Sequence, residues 1–366
     1  MNHIPILGVV GARPNFMKMA PIARLLQNHR RFKLTLVHTG QHYASMSDPF
    51  FRELGLPTPD YHLKIGSTSA AEQIGLVITR LVPILRKVKP RLVLVVGDVT
   101  STLASALAAH KLGIAVGHVE SGLRSFDETM PEEINRRLTD SISDFCFTHS
   151  PEADVHLRRE GIQGKRIHRV GNLMIDTLLR LQPIARRSRI QEQLKLKRNG
   201  YALLTLHRPS NVDHEEDLRK FASLLEKIGQ LIPVVFPIHP RTVQSAQRFG
   251  IWDPPPVALR LIEPLGYLDF LKLQEDARFV MTDSGGVQEE STVLGVPCLT
   301  LRDNTERPAT IRRGTNRLAG TNQKNIIAHV HRLLSGDLPR RRVPPLWDGR
   351  SAQRLLDVIE KSFPGD

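Results

Sequence analysis

Short runs of β-branched and apolar residues alternate with helical patterns along almost the whole chain of 366 residues. This alternation predicts parallel β-α-β units, because parallel strands must be joined by a crossover that is usually a helix. The first half contains six such runs: "PILGVV", "KLTLVH", "RLVLVV", "IAVGHV", "FCFTH" and "IHRVG". The second half contains six more: "YALLTL", "VVFPIH", "ALRLIE", "FVMTD", "PCLTLR" and "RLAG". Two similar sets predict an α/β fold with two doubly wound parallel sheets.

The length of the chain predicts two domains, since roughly 150 to 200 residues make one comfortable core. The polar, strand-free passage of residues 172–200 marks the boundary. We expect Rossmann-like domains at residues 1–172 and 173–350, with an amphipathic helix at 351–366 that can pack on either and is grouped with the first. Ligands bind beyond the carboxyl ends of parallel strands, so two such domains facing each other predict a site in the cleft between them.

The composition is that of an ordinary globular protein, with 40% hydrophobic and 24% charged residues. Cys146 and Cys298 lie in apolar runs and match no metal or disulfide spacing, which predicts buried thiols in a reducing compartment. The sequence shows neither a signal-like leader nor an apolar run long enough for a bilayer. We therefore expect a cytoplasmic protein with no membrane partner.

The formal net charge of +14 raises nucleic acid as a partner. The arginines, however, are scattered in pairs and triples, and aromatic residues make up only 5% of the chain. Because basic and aromatic residues are not interleaved for base stacking, we expect no nucleic-acid partner. An anionic small substrate, or a basic surface without a specific ligand, accounts better for the charge.

The stretch "VMTDSGGVQEES" predicts a strand, a break at Gly285 and Gly286, and then a helix. Ser284 and the two glycines can present free backbone amides to an anion at the helix start. Glu289 and Glu290 follow, and two interpretations stay open for them. Either both stabilise the positive end of the helix, or one holds a sugar attached to a bound phosphate.

Charged residues also follow the strands of the first half. Arg13 and Lys18 come after the first strand and open a helix, where both can face a phosphate. The glycine fingerprints of dinucleotide and P-loop sites are absent. Asp98 and Glu120 end two successive strands, so they can lie side by side at one sheet edge. The alternatives are a helix cap or turn carboxylate for Asp98 and an exposed loop charge for Glu120.

The stretch "MPEEINRR" predicts a helix that begins at Pro131. Glu132 and Glu133 lie in its first turn, four residues ahead of two arginines, Arg136 and Arg137. A well-formed helix start of this kind needs no function to explain it, so a purely structural interpretation stays open here.

Two further candidates end strands of the second half. His207, beside Arg208, can hold or protonate an anionic leaving group, with a satisfied loop histidine as the alternative. His239 has the same local setting and ranks lower. Arg307 can close on a phosphate or carboxylate, with a surface salt bridge as the alternative.

Eight stretches stand in a fixed order over nearly the whole chain: "GARPNFMK", "HTGQH", "GDVTSTLA", "GHVESGLRS", "PEEINRRLTD", "TLHRPSNVD", "TDSGGVQEE" and "TERP". Together they resemble the non-hydrolysing UDP-N-acetylglucosamine 2-epimerases. The resemblance implies a GT-B architecture, a UDP-sugar bound in the cleft, a homodimer, and neither a metal nor a nicotinamide cofactor. It further implies that UDP is eliminated across C1 and C2 to leave a bound 2-acetamidoglucal. UDP then adds back after C2 is protonated from the other face.

Matched residue by residue, the resemblance assigns catalysis to Asp98, Glu120, Glu132 and His207. Loss of the C2 proton and its return from the opposite face require two differently placed groups. The three carboxylates supply them, without showing which is the base and which the acid. The resemblance assigns UDP to the C-terminal domain, with Glu290 on the uridine ribose, and leaves Glu289 to favour the helix start. The substrate-binding residues are Arg13, Lys18, Phe270, Ser284, Gly285, Gly286, Glu290 and Arg307.

The sequence departs from the family pattern in places. Ala309 follows "TERP" where many members have glutamate, so a contact from that position is missing. The stretches "HRPSN" and "QHYASM" differ from those that some bacterial members use in a second, activating UDP-N-acetylglucosamine site, which argues against such activation. Retention of Arg307 and Pro308 favours N-acetylglucosamine over the diacetamido-uronic acid that related enzymes use.

We therefore predict 2-epimerisation of UDP-N-acetylglucosamine to UDP-N-acetylmannosamine, for the synthesis of surface polysaccharide. A 2-epimerase acting on a UDP-diacetamido-uronic acid is the nearest alternative. A GT-B glycosyltransferase would share the uridine site but needs an acceptor and no base at C2. A non-catalytic UDP-sugar sensor would bind without turnover.

Overall fold

A computed structural model of the chain describes residues 3–40, 51–66, 68–339 and 342–364. The chain divides into two compact units, the first formed by Met1–Arg180 and Pro345–Asp366 and the second by Leu181–Pro344. Throughout the part that is described, no helix has both the length and the apolar character needed to cross a bilayer.

The first unit is built on a parallel sheet. Its strands are β1 (Ile4–Val10), β2 (Phe32–His38), β3 (Tyr61–His62), β4 (Leu92–Val96), β5 (Ala115–Val119), β6 (Phe145–Thr148) and β7 (Ile167–Arg169). They are ordered β3-β2-β1-β4-β5-β6-β7. The order reverses between β1 and β4, which places the ligand-binding switch point of this sheet beyond their carboxyl ends.

Helices cover both faces of this sheet. They are α1 (Arg13–Leu26), α2 (Ala70–Val88), α3 (Thr100–Lys111), α4 (Pro131–Ile142), α5 (Pro151–Arg159) and α6 (Leu173–Ala185), with a 3₁₀ turn at Gly164–Arg166. Every residue of β4 is buried, as expected for a strand with helices on both sides.

The second unit repeats the plan. Its strands are β8 (Ala202–Thr205), β9 (Val234–Pro237), β10 (Leu259–Ile262), β11 (Phe279–Thr282), β12 (Cys298–Thr300) and β13 (Asn316–Leu318). They are ordered β10-β9-β8-β11-β12-β13, so the switch point lies between β8 and β11. The helices are α7 (Ile190–Gln193), α8 (Pro209–Val212), α9 (Glu215–Gly229), α10 (Pro240–Phe249), α11 (Tyr267–Asp276), α12 (Gly285–Leu294), α13 (Pro308–Arg312) and α14 (Gln323–Leu334).

A last helix, α15 (Ser351–Ser362), belongs to the first unit. The carboxylate of Asp176 on α6 accepts hydrogen bonds from the first amides of α15, those of Ser351 at 3.1 Å and Ala352 at 2.7 Å. Leu355 and Ile359 of this helix are fully buried. The predicted boundary between residues 172 and 173 falls just before α6, whereas the two units divide inside this helix.

The predicted fold class, two doubly wound parallel sheets, is confirmed, and each of the twelve predicted runs overlaps a strand. The prediction of six strands in the first half is wrong, because it misses β3. This strand has only two residues, Tyr61 and His62, and pairs with the edge of β2. No apolar run marks it, so the pattern of the sequence gives no signal for it.

Candidate active site

Asn15 joins the end of β1 to the end of β4 in the first unit. Its Oδ1 accepts hydrogen bonds from the amides of Gly11 and Ala12, both at 3.0 Å. Its Nδ2 donates to the carbonyl of Val96 at 2.8 Å. Asn15 therefore fixes the turn into α1 at the switch point of the sheet. Asn15 was not predicted as a site residue, since its partner Val96 lies far away in the chain.

Lys18 and Glu120 form a buried ion pair at the same switch point. A Cβ on Gly97 would lie 3.2 Å from Lys18 Nζ and 3.5 Å from Glu120 Oε2, and Gly97 has a φ of +70°. Only glycine meets both constraints easily, because a side chain there is strained and crowds the ion pair. The alternative that Glu120 is an exposed loop charge is wrong. Of the two candidate phosphate ligands on α1, Lys18 contacts this carboxylate, while the side chain of Arg13 lies outside the described part of the structure.

Asp98 follows β4 and is held from α4. Arg136 Nη2 donates to Asp98 Oδ2, and Asn135 Nδ2 donates to the carbonyl oxygen of Asp98 at 3.0 Å. The side chain of Asp98 stays 24% exposed, so it remains open to a ligand. The alternative that Asp98 caps the next helix is wrong, because Val99 occupies the cap position of α3.

The two adjacent glutamates at the start of α4 have different surroundings. Glu133 is buried and accepts hydrogen bonds from the amides of Ser125 at 2.9 Å and Phe126 at 3.2 Å, and from Arg136 at 2.6 Å. Glu132 is half-buried and makes no side-chain hydrogen bond to any residue that the structure describes. The structural interpretation therefore fits Glu133, and Glu132 keeps its carboxylate available for chemistry.

Asp283 organises the switch point of the second unit. This fully buried carboxylate follows β11 and accepts hydrogen bonds through Oδ2 from the amides of His207 at 2.8 Å and Arg208 at 2.7 Å, and from Asn211 Nδ2 at 3.2 Å. Burial raises the pKa of Asp283, but the neighbouring His207 and these amides lower it further, so the net shift is downward. An ionised Asp283 thus anchors the loop that carries His207.

The imidazole of His207 is held on one side and accessible on the other. Its Nδ1 lies 3.1 Å from Asp283 Oδ1, and the side chain is 36% exposed. With Nδ1 turned to the carboxylate, Nε2 is the nitrogen available to a ligand. His239, which the sequence analysis ranked lower, lies with its ring centroid 5.4 Å from that of His207. Its Nδ1 accepts a hydrogen bond from the amide of Arg241 at 3.2 Å, which explains it as a helix cap.

The start of α12 presents backbone amides and a buried arginine. Ser284 is the cap residue, and its side chain makes no capping hydrogen bond. A Cβ on Gly285 would lie 2.8 Å from both Nε and Cζ of Arg307, so the guanidinium rests directly on this glycine. Gly286 follows in the first turn. The alternative that Arg307 forms a surface salt bridge is wrong, because the residue is 93% buried, with 7% exposure.

Three arginines surround the buried carboxylate of Glu306. Oε1 lies 3.1 Å from Arg307 Nη1 and 3.2 Å from Arg208 Nη2, and Oε2 lies 2.8 Å from Arg302 Nη1. Glu306 therefore gathers three guanidinium groups beside the start of α12, where Glu289 is a second carboxylate in contact with Arg307. Arg302 and Arg208 were not predicted as site residues, since only the folded chain brings them to Glu306.

Glu289 has a role different from the predicted one. Glu289 and Glu290 lie in the second turn of α12, whose first turn contains no acidic residue. Glu289 is fully buried and accepts a hydrogen bond from Arg307 Nε at 3.2 Å. The prediction that Glu289 serves to favour the helix start is therefore wrong, and the residue instead holds Arg307 in place.

Glu290 is a buried acid on the same helix. Its Oε1 accepts a hydrogen bond from the Tyr267 hydroxyl at 2.9 Å. Burial, with a contribution from the adjacent charge of Glu289, raises the pKa of Glu290 to about 8 even though the Tyr267 bond opposes this. Near neutral pH the group is thus mostly a neutral acid that can both donate and accept. Phe270, on the same helix as Tyr267, is partly buried against the apolar cluster next to α12.

Glu290 predicts a decline of stability with rising pH. The unfolded side chain ionises near 4.5, whereas the folded one keeps its proton up to about 8. Between these values the folded state binds more protons, so stability falls as the pH rises through this window and is unaffected below it. We expect the Tm of the wild type to fall by a few degrees more than that of Glu290→Gln between pH 5 and 8. Parallel Tm curves for the two proteins would contradict this.

Within the ranges that the structure describes, no three or more histidine, cysteine, aspartate or glutamate side chains are grouped as a metal site would require. Cys146 and Cys298 are both free and buried. The stretch "QHYASM", at residues 41–46, lies outside the described residues.

The sequence profile of the family described as UDP-N-acetylglucosamine 2-epimerase matches residues 24–360. The chain belongs to this family. A relative in this epimerase family, the UDP-N-acetylglucosamine 2-epimerase of Methanococcus maripaludis, is 42% identical over 361 residues, which cover 96% of this chain and 97% of the relative. The UDP-2,3-diacetamido-2,3-dideoxy-D-glucuronate 2-epimerase of Pseudomonas aeruginosa is 40% identical, covering 97% of this chain and 99% of the relative.

A crystal structure from the same family is also similar throughout. The UDP-GlcNAc 2-epimerase of Methanocaldococcus jannaschii, in complex with UDP-GlcNAc and UDP, matches with a TM-score of 0.91 and 41% identity. The match covers 98% of this chain and 99% of that one. The resemblance drawn from the eight stretches, and the prediction of an epimerase, are therefore confirmed at the level of the family.

Proposed function

We propose that the protein interconverts UDP-N-acetylglucosamine and UDP-N-acetylmannosamine. The observation that carries this proposal is the start of α12, where the helix amides of Gly285 and Gly286 lie beside the buried guanidinium of Arg307, with the buried acid of Glu290 in the next turn. The amide of Ser284 is not part of this set, because it donates to Thr282 Oγ1 at 2.9 Å. Phosphate groups suit the amides and the guanidinium, and ribose hydroxyls suit an acid that donates and accepts. A UDP-sugar has both groups, and the match to a relative crystallised with UDP-GlcNAc and UDP supports this choice.

The second unit is assigned to the UDP. As the bond from C1 to the β-phosphate oxygen breaks, negative charge grows on the departing diphosphate. Amides at the start of α12, Arg307 and His207 then stabilise the transition state more than the bound substrate, which is the condition for a faster reaction. In the first unit, Arg13 and Lys18 are proposed to add positive charge for the same diphosphate.

The first unit is assigned to the proton at C2. One carboxylate among Asp98, Glu120 and Glu132 removes this proton, the C1–C2 double bond forms, and UDP leaves with the electron pair of the C1–O bond. For the return, an acidic group on the opposite face protonates C2, and a β-phosphate oxygen attacks C1. The second half adds back one proton, which has exchanged with solvent, and the same UDP, so the cycle needs no oxidant or reductant.

Two features of the biological setting are part of the proposal. We expect the enzyme to act as a homodimer in the cytoplasm, and we expect its N-acetylmannosamine product to feed surface polysaccharide synthesis. The homodimer and the polysaccharide setting are expected from the family resemblance of the eight stretches.

A second candidate substrate is a UDP-diacetamido-uronic acid. The Pseudomonas aeruginosa relative named for that substrate is 40% identical over nearly the full length of both chains, which is almost as similar as the N-acetylglucosamine enzymes. Retention of Arg307 and Pro308 favours the plain N-acetylglucosamine substrate. We therefore place the uronic acid second.

The proposal is tested by incubating the protein with UDP-N-acetylglucosamine in deuterated water, without an acceptor sugar, and following the sugar by NMR. We expect the C2 proton signal to disappear while manno-configured anomeric signals appear. Turnover of the diacetamido-uronic acid nucleotide alone would move the assignment to the second candidate. Binding of both nucleotides without exchange at C2 would overturn the epimerase proposal and favour a sensor, and turnover only with an acceptor would favour a transferase.

A further inference from the structure

A buried polar cluster lies beneath the carboxyl ends of β4 and β5. At its centre is Asp140 on α4, whose carboxylate is fully buried. It receives hydrogen bonds from the Ser121 hydroxyl, the Gly122 amide at 3.1 Å and Arg124 Nη2 at 2.7 Å, and it bonds His118 Nδ1 at 2.6 Å. No step of the proposed reaction uses any of these groups.

The histidine of this cluster is held on both sides. His118 is fully buried, and its Nε2 lies 2.8 Å from the carbonyl oxygen of Gly97. A backbone carbonyl can only accept, so Nε2 donates to it, while Nδ1 faces the carboxylate of Asp140. Burial raises the pKa of Asp140, but the adjacent His118 and Arg124 lower it to about 2 overall. The cluster is therefore an ionised carboxylate with all its surrounding donors directed at it.

Each contact of the cluster reaches a segment that bears a proposed catalytic carboxylate. His118 holds the carbonyl of Gly97, the residue before Asp98. Ser121 and Gly122 directly follow Glu120. Asp140 itself belongs to α4, the helix that carries Glu132 in its first turn.

We propose that Asp140, acting through His118, Ser121 and Gly122, is a positioning residue that fixes the three carboxylate-bearing segments relative to one another. The inference rests on the proposed function, because that function assigns the three carboxylates to the reaction. It goes further by identifying what sets the spacing between the base and the acid.

The backbone conformation of these segments explains why they need hydrogen bonds to hold them in position. Glu120 has a φ of 71°, and Gly97 and Gly122 have φ values of 70° and 82°. The left-handed region is unfavourable for a residue with a side chain and persists only where the surroundings enforce it. The hydrogen bonds that Ser121 and Gly122 donate to Asp140 supply that enforcement on one side of Glu120, and the ion pair with Lys18 supplies it on the other.

Asp140→Asn tests the proposal with minimal change of shape. The side chain of asparagine has an NH₂ group in place of one carboxylate oxygen. This NH₂ group would face the donors that now bond the carboxylate, so those hydrogen bonds are lost. We expect kcat for C2 exchange to fall at least about tenfold, since displacement of a reacting group by about 1 Å is enough for such losses. The dissociation constant of UDP should stay within about threefold of the wild-type value.

Asp144→Asn is the matched control. Asp144 Oδ2 accepts a hydrogen bond from the amide of Val116 at 2.8 Å, at the opposite end of β5, and the side-chain oxygen of an asparagine there can still accept this bond. We expect it to leave kcat unchanged. A second readout compares two rates: the incorporation of deuterium at C2 of substrate that keeps its configuration, and the net inversion at C2. The readout is the ratio of the first rate to the second. This ratio should change for Asp140→Asn alone, because base and acid shift independently, whereas a general loss of folded enzyme leaves it constant.

Should Asp140→Asn not fold, Ser121→Ala removes one donor to Asp140, and we expect it to lower kcat about threefold with UDP affinity unchanged. If the wild type is active and the folded variants keep both its kcat and its ratio of deuterium incorporation to inversion, the positioning role is overturned. The proposed function would then remain intact. A wild type that catalyses no C2 exchange on either nucleotide would overturn the proposed function and this inference together.

Discussion

Replacing Glu132 with glutamine is expected to lower the rate of C2 exchange at least about a hundredfold, the usual loss for a general acid or base. Glutamine keeps the size and polarity of the side chain and removes only its capacity to carry a proton. Because Glu132 makes no hydrogen bond to a described residue, the change should leave the fold and its Tm unaltered. The measurement is the rate of deuterium incorporation at C2 of UDP-N-acetylglucosamine, together with Tm.

Glu128→Gln provides the control for this substitution. Glu128 lies close by in the chain and pairs with Arg137 at 2.9 Å, but its side chain is 80% exposed. An exposed ion pair contributes little, so we expect normal turnover from this variant. Turnover of Glu132→Gln above about a tenth of the wild-type rate would remove Glu132 from the acid–base set.

Gly285→Ala is expected to weaken UDP binding by roughly ten- to a hundredfold. The added methyl group would lie 2.8 Å from Nε and Cζ of Arg307, closer than carbon contacts allow. The guanidinium must then move away from the start of α12 and from Glu289, which it contacts at 3.2 Å. Loss of a hydrogen bond from a charged group costs about 1.5–3 kcal/mol, which corresponds to this range of dissociation constants. Calorimetric titration with UDP measures the effect directly.

A glycine with open space around it is the control for that experiment. Nothing lies within 4 Å of a Cβ placed on Gly75, which is inside α2. Gly75→Ala should bind UDP like the wild type and be slightly more stable, because alanine favours a helix. Equal UDP affinity of Gly285→Ala and Gly75→Ala would show that Arg307 does not contribute to nucleotide binding.

The sheets were predictable because most of their strands contain a short apolar run, and the central strands are buried. In β4 the run "LVLVV" is buried at every position, and its short length and its valines favour a strand over a buried helix. The same logic fails for β3, whose residues Tyr61 and His62 pair along only part of β2. A strand of two residues exists only through its hydrogen bonds to the neighbouring strand, and it is too short to show an alternation of apolar and polar residues in the sequence.

The residues at strand ends were predictable as candidates, but their partners were not. Asp98, Glu120 and Arg307 were named from their positions, yet their ion pairs with Arg136, Lys18 and Glu306 emerge only in the fold. Asp283 and Asp140 were missed altogether. Each is a buried carboxylate whose donors come from elsewhere in the chain, and a sequence gives no indication of which distant amide will face which acid.

The position of α15 has a consequence for the biosynthesis of the protein. In the first unit α15 packs on α1, and its Ser351 and Ala352 amides donate hydrogen bonds to the carboxylate of Asp176. These residues leave the ribosome only after the whole second unit, which is one uninterrupted segment and can fold during translation. The strands of the first unit are thus synthesised first, but the last helix of this unit is synthesised at the end. Until then, the surface that later receives Leu355 and Ile359 is exposed to chaperones and to other nascent chains.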